Sequence, residues 1–216
     1  MNYLEILKLT DHTELKQTAG LKDILKAVDE GIKWNTASVC IPPAFVSEAA
    51  EYAAGRVRLA VVTGFPNGYD STAAKLKETE TALKAGAAET DTVLNVGRFV
   101  SGDYAYCLEE LKALKRLSED NVLKVIVETC FLDEAQKRDA CKLVMDSGAD
   151  FIKTSTGFGK GGANVADVEL FRECTRGAIG IKASGGIRSF EFAEQLIAAG
   201  ATRIGASALV SLAEKL

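Results

Sequence analysis

Two lysines sit at the ends of β-prone runs, each directly ahead of a loop of small residues: Lys153 in "DFIKTSTGFGKGG" and Lys182 in "GIKASGGIRS". A lysine amine can add to a carbonyl and form an imine, but only when neutral, and an ordinary lysine of pKa ~10.4 is about 0.04% neutral at pH 7. Imine chemistry therefore needs a device that removes the proton. A second cation is such a device, because two unit charges ~4 Å apart at an effective dielectric of ~20 repel by about 4 kcal/mol. The period of two along an extended chain puts Phe151 and Lys153 on one face of their run, and Gly180 and Lys182 on one face of the next. On adjacent strands at equal depth the two ammonium groups would crowd each other. Either lysine alone could snorkel from a strand end into solvent; the pair, both ahead of small-residue loops, favours a nucleophilic amine held beside a second cation.

A carboxylate for proton transfer is available in "ETDTVLNVG", where Asp91 shares a face with Val93 and Asn95. Asp91 could instead be a structural partner for Lys124 of "LKVIVET", and the two roles can coexist. Asp11 and Thr13 in "DHT" form either a polar pair at a strand end or the N-cap of the following helix. Two glycine loops, "SGGIRS" at 184–189 and "RIGAS" at 203–207, offer backbone N–H groups to an anion. Each is weak alone, and the two together point to a phosphorylated ligand.

These groups need elements to carry them. Eight β-prone runs ("LKLTDHT", "ASVCI", "RLAVVTGF", "TDTVLNVG", "LKVIVET", "DFIKTS", "GIKAS", "TRIGAS") alternate with amphipathic stretches. The clearest helices by apolar spacing are Thr72–Ala85, Tyr104–Leu117, Leu132–Ser147 and Ser189–Ala199. Several end at glycine before the next run ("KAGAAETD", "MDSGADFI", "IAAGATRI"), as helix C-termini prefer. Eight βα units predict an α/β fold, a (β/α)8 TIM barrel filling residues 1–216 as one domain. A doubly wound open sheet is the other arrangement of alternating units, but its usual glycine-rich first turn is replaced here by "DHTELK". In a barrel, function gathers at the C-terminal ends of the strands, where Asp11, Thr13, Cys40, Asp91, Asn95, Lys124, Glu128, Lys153 and Lys182 all fall.

Composition narrows the partners. A chain of 216 residues, 47% hydrophobic, with a net charge of −4 from interspersed signs, has no footprint for nucleic acid or for an anionic membrane. No apolar window is long enough to span a bilayer and the N-terminus lacks an export signal, so a cytoplasmic protein is expected. Its five cysteines are odd in number and never form C-x-x-C, which argues against disulfides and zinc ribbons. With His12 as the only histidine and no clustered carboxylate loop, neither a metal site nor a cofactor is expected.

The blocks "DHTELK", "SVCIPPAFV", "TGFPNG", "ETDTVLNVG", "LKVIVET", "FIKTSTGFG", "IKASGGIRS" and "IGAS" together resemble the deoxyribose-phosphate aldolases, in that family's order and through almost the whole chain. The resemblance implies a metal-free class I aldolase that reversibly cleaves 2-deoxy-D-ribose 5-phosphate to D-glyceraldehyde 3-phosphate and acetaldehyde. It implies Lys153 as the Schiff-base nucleophile, Asp91 as proton donor and acceptor, and Lys182 as the activating second lysine. Gly185, Gly186, Gly205 and Ser207 would hold the phosphate, joined by Gly157, with Thr13, Asp11 and Cys40 as further substrate-binding positions. Partners would be phosphorylated sugars and aldehydes, with a homodimer or homotetramer as the assembly. Two departures stand out: Thr90 precedes the aspartate where an aliphatic residue is more usual, and Ala208 follows Ser207 where some members have a second serine. Another Schiff-base barrel acting on a phosphorylated sugar, or a phosphate-binding barrel without catalysis, is the competing reading; the latter would need neither lysine.

Overall fold

A computed structural model describes all residues from Met1 to Leu216. Eight parallel strands close on themselves in sequence order: β1 (Thr10–Thr13), β2 (Ser38–Ile41), β3 (Leu59–Thr63), β4 (Glu89–Val93), β5 (Val122–Ile126), β6 (Phe151–Lys153), β7 (Gly180–Ser184) and β8 (Arg203–Ala206). Around them run α1 (Tyr3–Lys8), α2 (Leu21–Trp34), α3 (Val46–Ala53), α4 (Thr72–Lys84), α5 (Val96–Val100), α6 (Tyr104–Ser118), α7 (Glu134–Ser147), α8 (Val165–Thr175), α9 (Phe190–Ala199) and α10 (Leu209–Ala213). This is the (β/α)8 barrel expected from the sequence.

Local signals account for the helices. In α7, Asp133 and Gln136 form a reciprocal capping box, Ala140, Cys141 and Val144 turn one buried face to the barrel, and Gly148 in the left-handed region stops the helix at φ 79°. Losing such a cap costs about 1 kcal/mol. The first β-prone run is shorter than its sequence suggested, because Leu7 and Lys8 belong to α1. There Asn2 and Glu5 cap the helix start, and burial of Ile6 and Leu7 overrides strand propensity.

The strands divide the molecule into two interiors. Outward-facing Val39, Ile41, Leu59, Val61, Leu123, Val125, Ile152, Ile181 and Ile204 pack beneath the helices as an apolar shell. Burying each such side chain is worth about 1.5–3 kcal/mol. The inward face is different. Where a barrel of this kind usually stacks branched aliphatics, this one carries Asp11, Glu89, Asp91, Lys124, Lys153, Lys182 and Arg203 on registered strands. Phe151 fills space near the base, and Gly180 beside it is obligatory: a Cβ there would lie 2.2 Å from the Phe151 ring.

Candidate active site

Register sets the depth of the charged groups. Asp91 pairs with Lys124 across β4 and β5, and Lys153 pairs with Lys182 across β6 and β7. Asp91 is the hub, and its carboxylate is wholly buried. Its Oδ1 accepts from Lys124 Nζ at 2.7 Å, and its Oδ2 accepts from both Lys153 Nζ at 2.6 Å and Lys182 Nζ at 2.7 Å. Lys182 also donates to Asp11, while Lys124 reaches Glu89 Oε2 at 2.6 Å. Arg203 closes the base of the network, with Nη1 2.6 Å from Asp11 Oδ1 and 3.2 Å from Glu89 Oε2. The interior thus brings four cations (Lys124, Lys153, Lys182, Arg203) onto three carboxylates (Asp11, Glu89, Asp91); Arg58, mostly exposed, lies 3.9 Å from Glu89 at the edge. One positive charge is in excess when every lysine is protonated.

The three lysines do not share that excess equally. Burial pushes the Lys153 amine below the ordinary lysine range; Asp91 opposes the fall and the Lys182 ammonium adds to it. Burial also acts against the charge of Lys182, but Asp11 and Asp91 overcome it and hold Lys182 above the ordinary range. Lys124 likewise ends raised, through Asp91 and Asp11, against its burial. Burial tends to raise Asp91, but Lys124, Lys153 and Lys182 hold it well below the usual carboxylate range. The second cation therefore does act on Lys153, though the sequence argument gave it first place and the structure gives that place to desolvation.

Lys153 alone of the three lysines opens onto a cavity of about 700 Å³ at the C-terminal mouth of the barrel. Thr13, Gly157, Gly185, Gly186, Gly205 and Ser207 line the same cavity. The backbone N–H groups of Gly157, Gly185, Gly186 and Ser207 make no hydrogen bond within the protein, so the wall facing Lys153 carries unused donors of the kind an anion requires. Gly205 has a second reason to lack a side chain, since a Cβ would lie 2.9 Å from Lys182 Cε and 2.8 Å from Ser184 Cβ.

Asp11 and Cys40 are not brought to the cavity wall. Both are wholly buried below it: Asp11 accepts from Lys182, Arg203 and Ser38, and Cys40 packs with Ala60 and Val62. Asp11 is no helix cap either, as the residue that precedes α2 is Gly20. Thr13 Oγ1 donates to the Asp11 carbonyl at 2.9 Å. Among the polar wall residues that sequence reasoning passed over are Thr156, Ser184 and Arg188. Arg188 was in plain view inside "SGGIRS", and it is exposed and takes part in no ion pair.

Comparison with known proteins bears on what this arrangement is for. The family model described as DeoC/LacD family aldolase matches residues 6–214. The chain belongs to that family. Among its aldolase relatives, the deoxyribose-phosphate aldolase of Clostridioides difficile (strain 630) is 45% identical over 207 residues, covering 96% of this chain and 94% of the relative. That of Streptococcus pyogenes serotype M4 is also 45% identical, over 98% of this chain and 95% of the relative. Of the solved structures, the aldolase QR15 superposes with a TM-score of 0.94 at 40% identity, covering 98% of this chain and 95% of that one. The deoxyribose phosphate aldolase of Aeropyrum pernix, described as a tetramer, superposes at 0.92 with 29% identity over 99% of this chain and 92% of that one. Within this aldolase, Thr90 is buried with its hydroxyl unpaired on the β4 backbone beside Asp91, and Ala208 lines the mouth.

Proposed function

We propose that this chain is a deoxyribose-phosphate aldolase that reversibly cleaves 2-deoxy-D-ribose 5-phosphate to D-glyceraldehyde 3-phosphate and acetaldehyde, with residues 1–216 acting as one catalytic domain. The observation that carries the assignment of roles is the split among the interior lysines: the one that opens onto the cavity, Lys153, is the one driven toward its neutral form, while Lys124 and Lys182 are held as cations.

In this scheme the neutral Lys153 amine adds to the C1 aldehyde, and loss of water from the carbinolamine gives an iminium. Asp91, already hydrogen-bonded to Nζ, faces the new positive charge and stabilises it. Removal of the proton from the C3 hydroxyl lets the C2–C3 electron pair flow into the iminium, releasing glyceraldehyde 3-phosphate and leaving an enamine. Reprotonation at C2 and hydrolysis release acetaldehyde and regenerate the amine. Asp91 and Lys182, 2.7 Å apart, form the pair through which that proton passes, and Lys182 keeps the proton between turnovers. The cavity donors on Gly157, Gly185, Gly186 and Ser207, with Arg188 at the rim, bind the 5-phosphate. Thr13, at the end of the strand next to β8, lines the same cavity. No step calls on a metal or an organic cofactor.

We assign the protein to the cytoplasm, consistent with five free cysteines and with the lack of any helix long and apolar enough to cross a membrane. A homodimer or homotetramer is the proposed assembly. The decisive experiment is borohydride reduction in the presence of acetaldehyde or substrate, followed by peptide mass mapping. A single reduced adduct at Lys153 is expected. An adduct chiefly at Lys182 or Lys124, or none at all, would overturn the scheme.

A further inference from the structure

Glu128 stands apart from the network already described. It follows β5, its backbone is in the left-handed region (φ 52°, ψ 66°), and the residue is 4% exposed. Side chains with a Cβ rarely adopt that conformation, and residues held in it cluster where function requires it. Every other buried acid in the barrel interior meets a cation, yet Glu128 forms no ion pair. Apart from the Cys130 thiol, which donates to Oε1 at 4.0 Å, its partners come from one residue of the loop after β6. Thr156 N–H donates to Oε1 at 3.3 Å and to Oε2 at 3.2 Å, and the Thr156 hydroxyl donates to Oε2. The same hydroxyl accepts from Phe158 N–H at 3.0 Å. Gly159 then passes directly over the carboxylate, with a Cβ there falling 3.1 Å from Glu128 Cδ.

The loop has two anchorages, which meet at Thr154, whose carbonyl accepts from Thr129 N–H at 2.9 Å. Thr154 and Ser155, next to Lys153, are tied to β7: Thr154 Oγ1 donates to the Ser184 carbonyl and accepts from Ser184 N–H, both at 3.1 Å, while Ser184 Oγ donates to the Ser155 carbonyl at 2.5 Å. The corner at Thr156–Phe158 has its hydrogen bonds to the rest of the barrel through Glu128 alone, while the Phe158 ring packs edge-on against Phe65 with centroids 5.3 Å apart. Between Thr156 and Phe158 lies Gly157, at φ 85°, with its N–H unused and its position on the cavity wall.

We infer that Glu128 is a specificity-determining positioning residue: its carboxylate clamps both donors of Thr156 and thereby aims the Gly157 N–H at the phosphate of the substrate. The inference rests on the phosphate site proposed above. A carboxylate is suited to the task because it only accepts, so both Thr156 donors are bound and the turn has a single hydrogen-bonding solution. Lys153 is held by separate bonds, so the clamp governs recognition of the phosphate far more than imine chemistry.

The test compares kcat/KM for 2-deoxyribose 5-phosphate and for free 2-deoxyribose in the parent, Glu128→Gln, Thr156→Val and Thr156→Ser. In Glu128→Gln the amide NH₂ opposes one Thr156 donor, and in Thr156→Val the hydroxyl is gone. Both should lose at least about tenfold on the phosphorylated sugar, mainly through KM, and no more than about threefold on the free sugar. Thr156→Ser, which keeps both donors, should retain most of the parent's discrimination. Equal losses on the two sugars in either crippled variant would overturn the inference, as would full discrimination in Glu128→Gln or a Thr156→Ser variant as impaired as Thr156→Val. A parent that turns over both sugars alike would overturn the phosphate site itself, a result distinct from a discriminating parent whose discrimination survives the loss of Glu128.

Discussion

Lys182 shows how one side chain is worth more as a charge than as a contact. With Lys182 present, four cations face three carboxylates, and the excess is relieved when Lys153 is neutral. Replacing Lys182 with Met leaves three cations on three carboxylates, so the count closes with Lys153 protonated, and its pKa should rise. Asp11 still keeps Arg203 and Ser38 in that variant, so the barrel base retains its pairing. The expected outcome is imine formation with acetaldehyde at pH 7 slowed by about tenfold or more, recovering as pH rises toward ~9–10. Single-turnover imine formation measured against pH checks it. A flat profile in the variant would mean that Lys182 serves proton transfer alone. At this scale the sequence was highly legible for Lys153, Lys182 and Asp91, because period two along three strands is enough to aim them inward. It could not rank burial above the neighbouring charge, since the depth of a side chain emerges only when all eight strands have closed. For the same reason Asp11 and Cys40 read as mouth residues, although both are wholly buried and neither lines the cavity.

Among the elements, α4 illustrates what spacing conceals. It carries Lys75, Lys77 and Lys84; Lys77 and Lys84 are about three-quarters exposed, whereas Lys75 is fully buried. Nothing in their spacing separates them. Lys75 Nζ donates to the Val93 carbonyl at 2.8 Å and to Glu110 Oε1 at 2.7 Å, while Glu78 of the same helix accepts from Gly64 N–H at 2.7 Å. The helix thus supplies hydrogen-bond partners to the ends of β3 and β4, the latter two residues beyond Asp91. Lys75→Met leaves Glu110 as an uncompensated buried charge and should cost about 3–5 kcal/mol of unfolding free energy. Adding Glu110→Leu should restore much of that, because the replacement of a whole buried pair is often nearly neutral. Urea titrations of both variants test this. A double variant as unstable as Lys75→Met would show that the Lys75 bond to Val93, and not the ion pair, carries the stability.

For the whole molecule, the lowered pKa of the Lys153 amine is a cost to folding that the rest of the barrel supports. Burial lowers its pKa in the folded state relative to the unfolded chain, so between the folded value and ~10.4 the unfolded state binds more protons than the native state, and stability rises with pH across that window. Below the window the penalty is present in full; above it the penalty vanishes. The other charges have the opposite sense. Asp11 and Asp91, held below the usual carboxylate range, contribute stability above ~3.9 that is lost as pH falls through their folded values. Lys124 and Lys182, held above theirs, contribute stability below ~10.4 that is lost only as pH climbs through their folded values. Neutral pH therefore isolates the Lys153 term. Lys153→Met removes the titrating amine while Asp91 keeps Lys124 and Lys182, so the variant, though inactive, should melt a few degrees above the parent at pH 7, each 1 kcal/mol being worth about 2–4 °C for a chain of this size. Its advantage should shrink toward zero near pH 10.5. Thermal melts of parent and variant across pH 6–10.5 measure it, and a variant that melts lower at pH 7, or whose gain is independent of pH, would show that the lowered pKa of Lys153 is not maintained at the expense of stability.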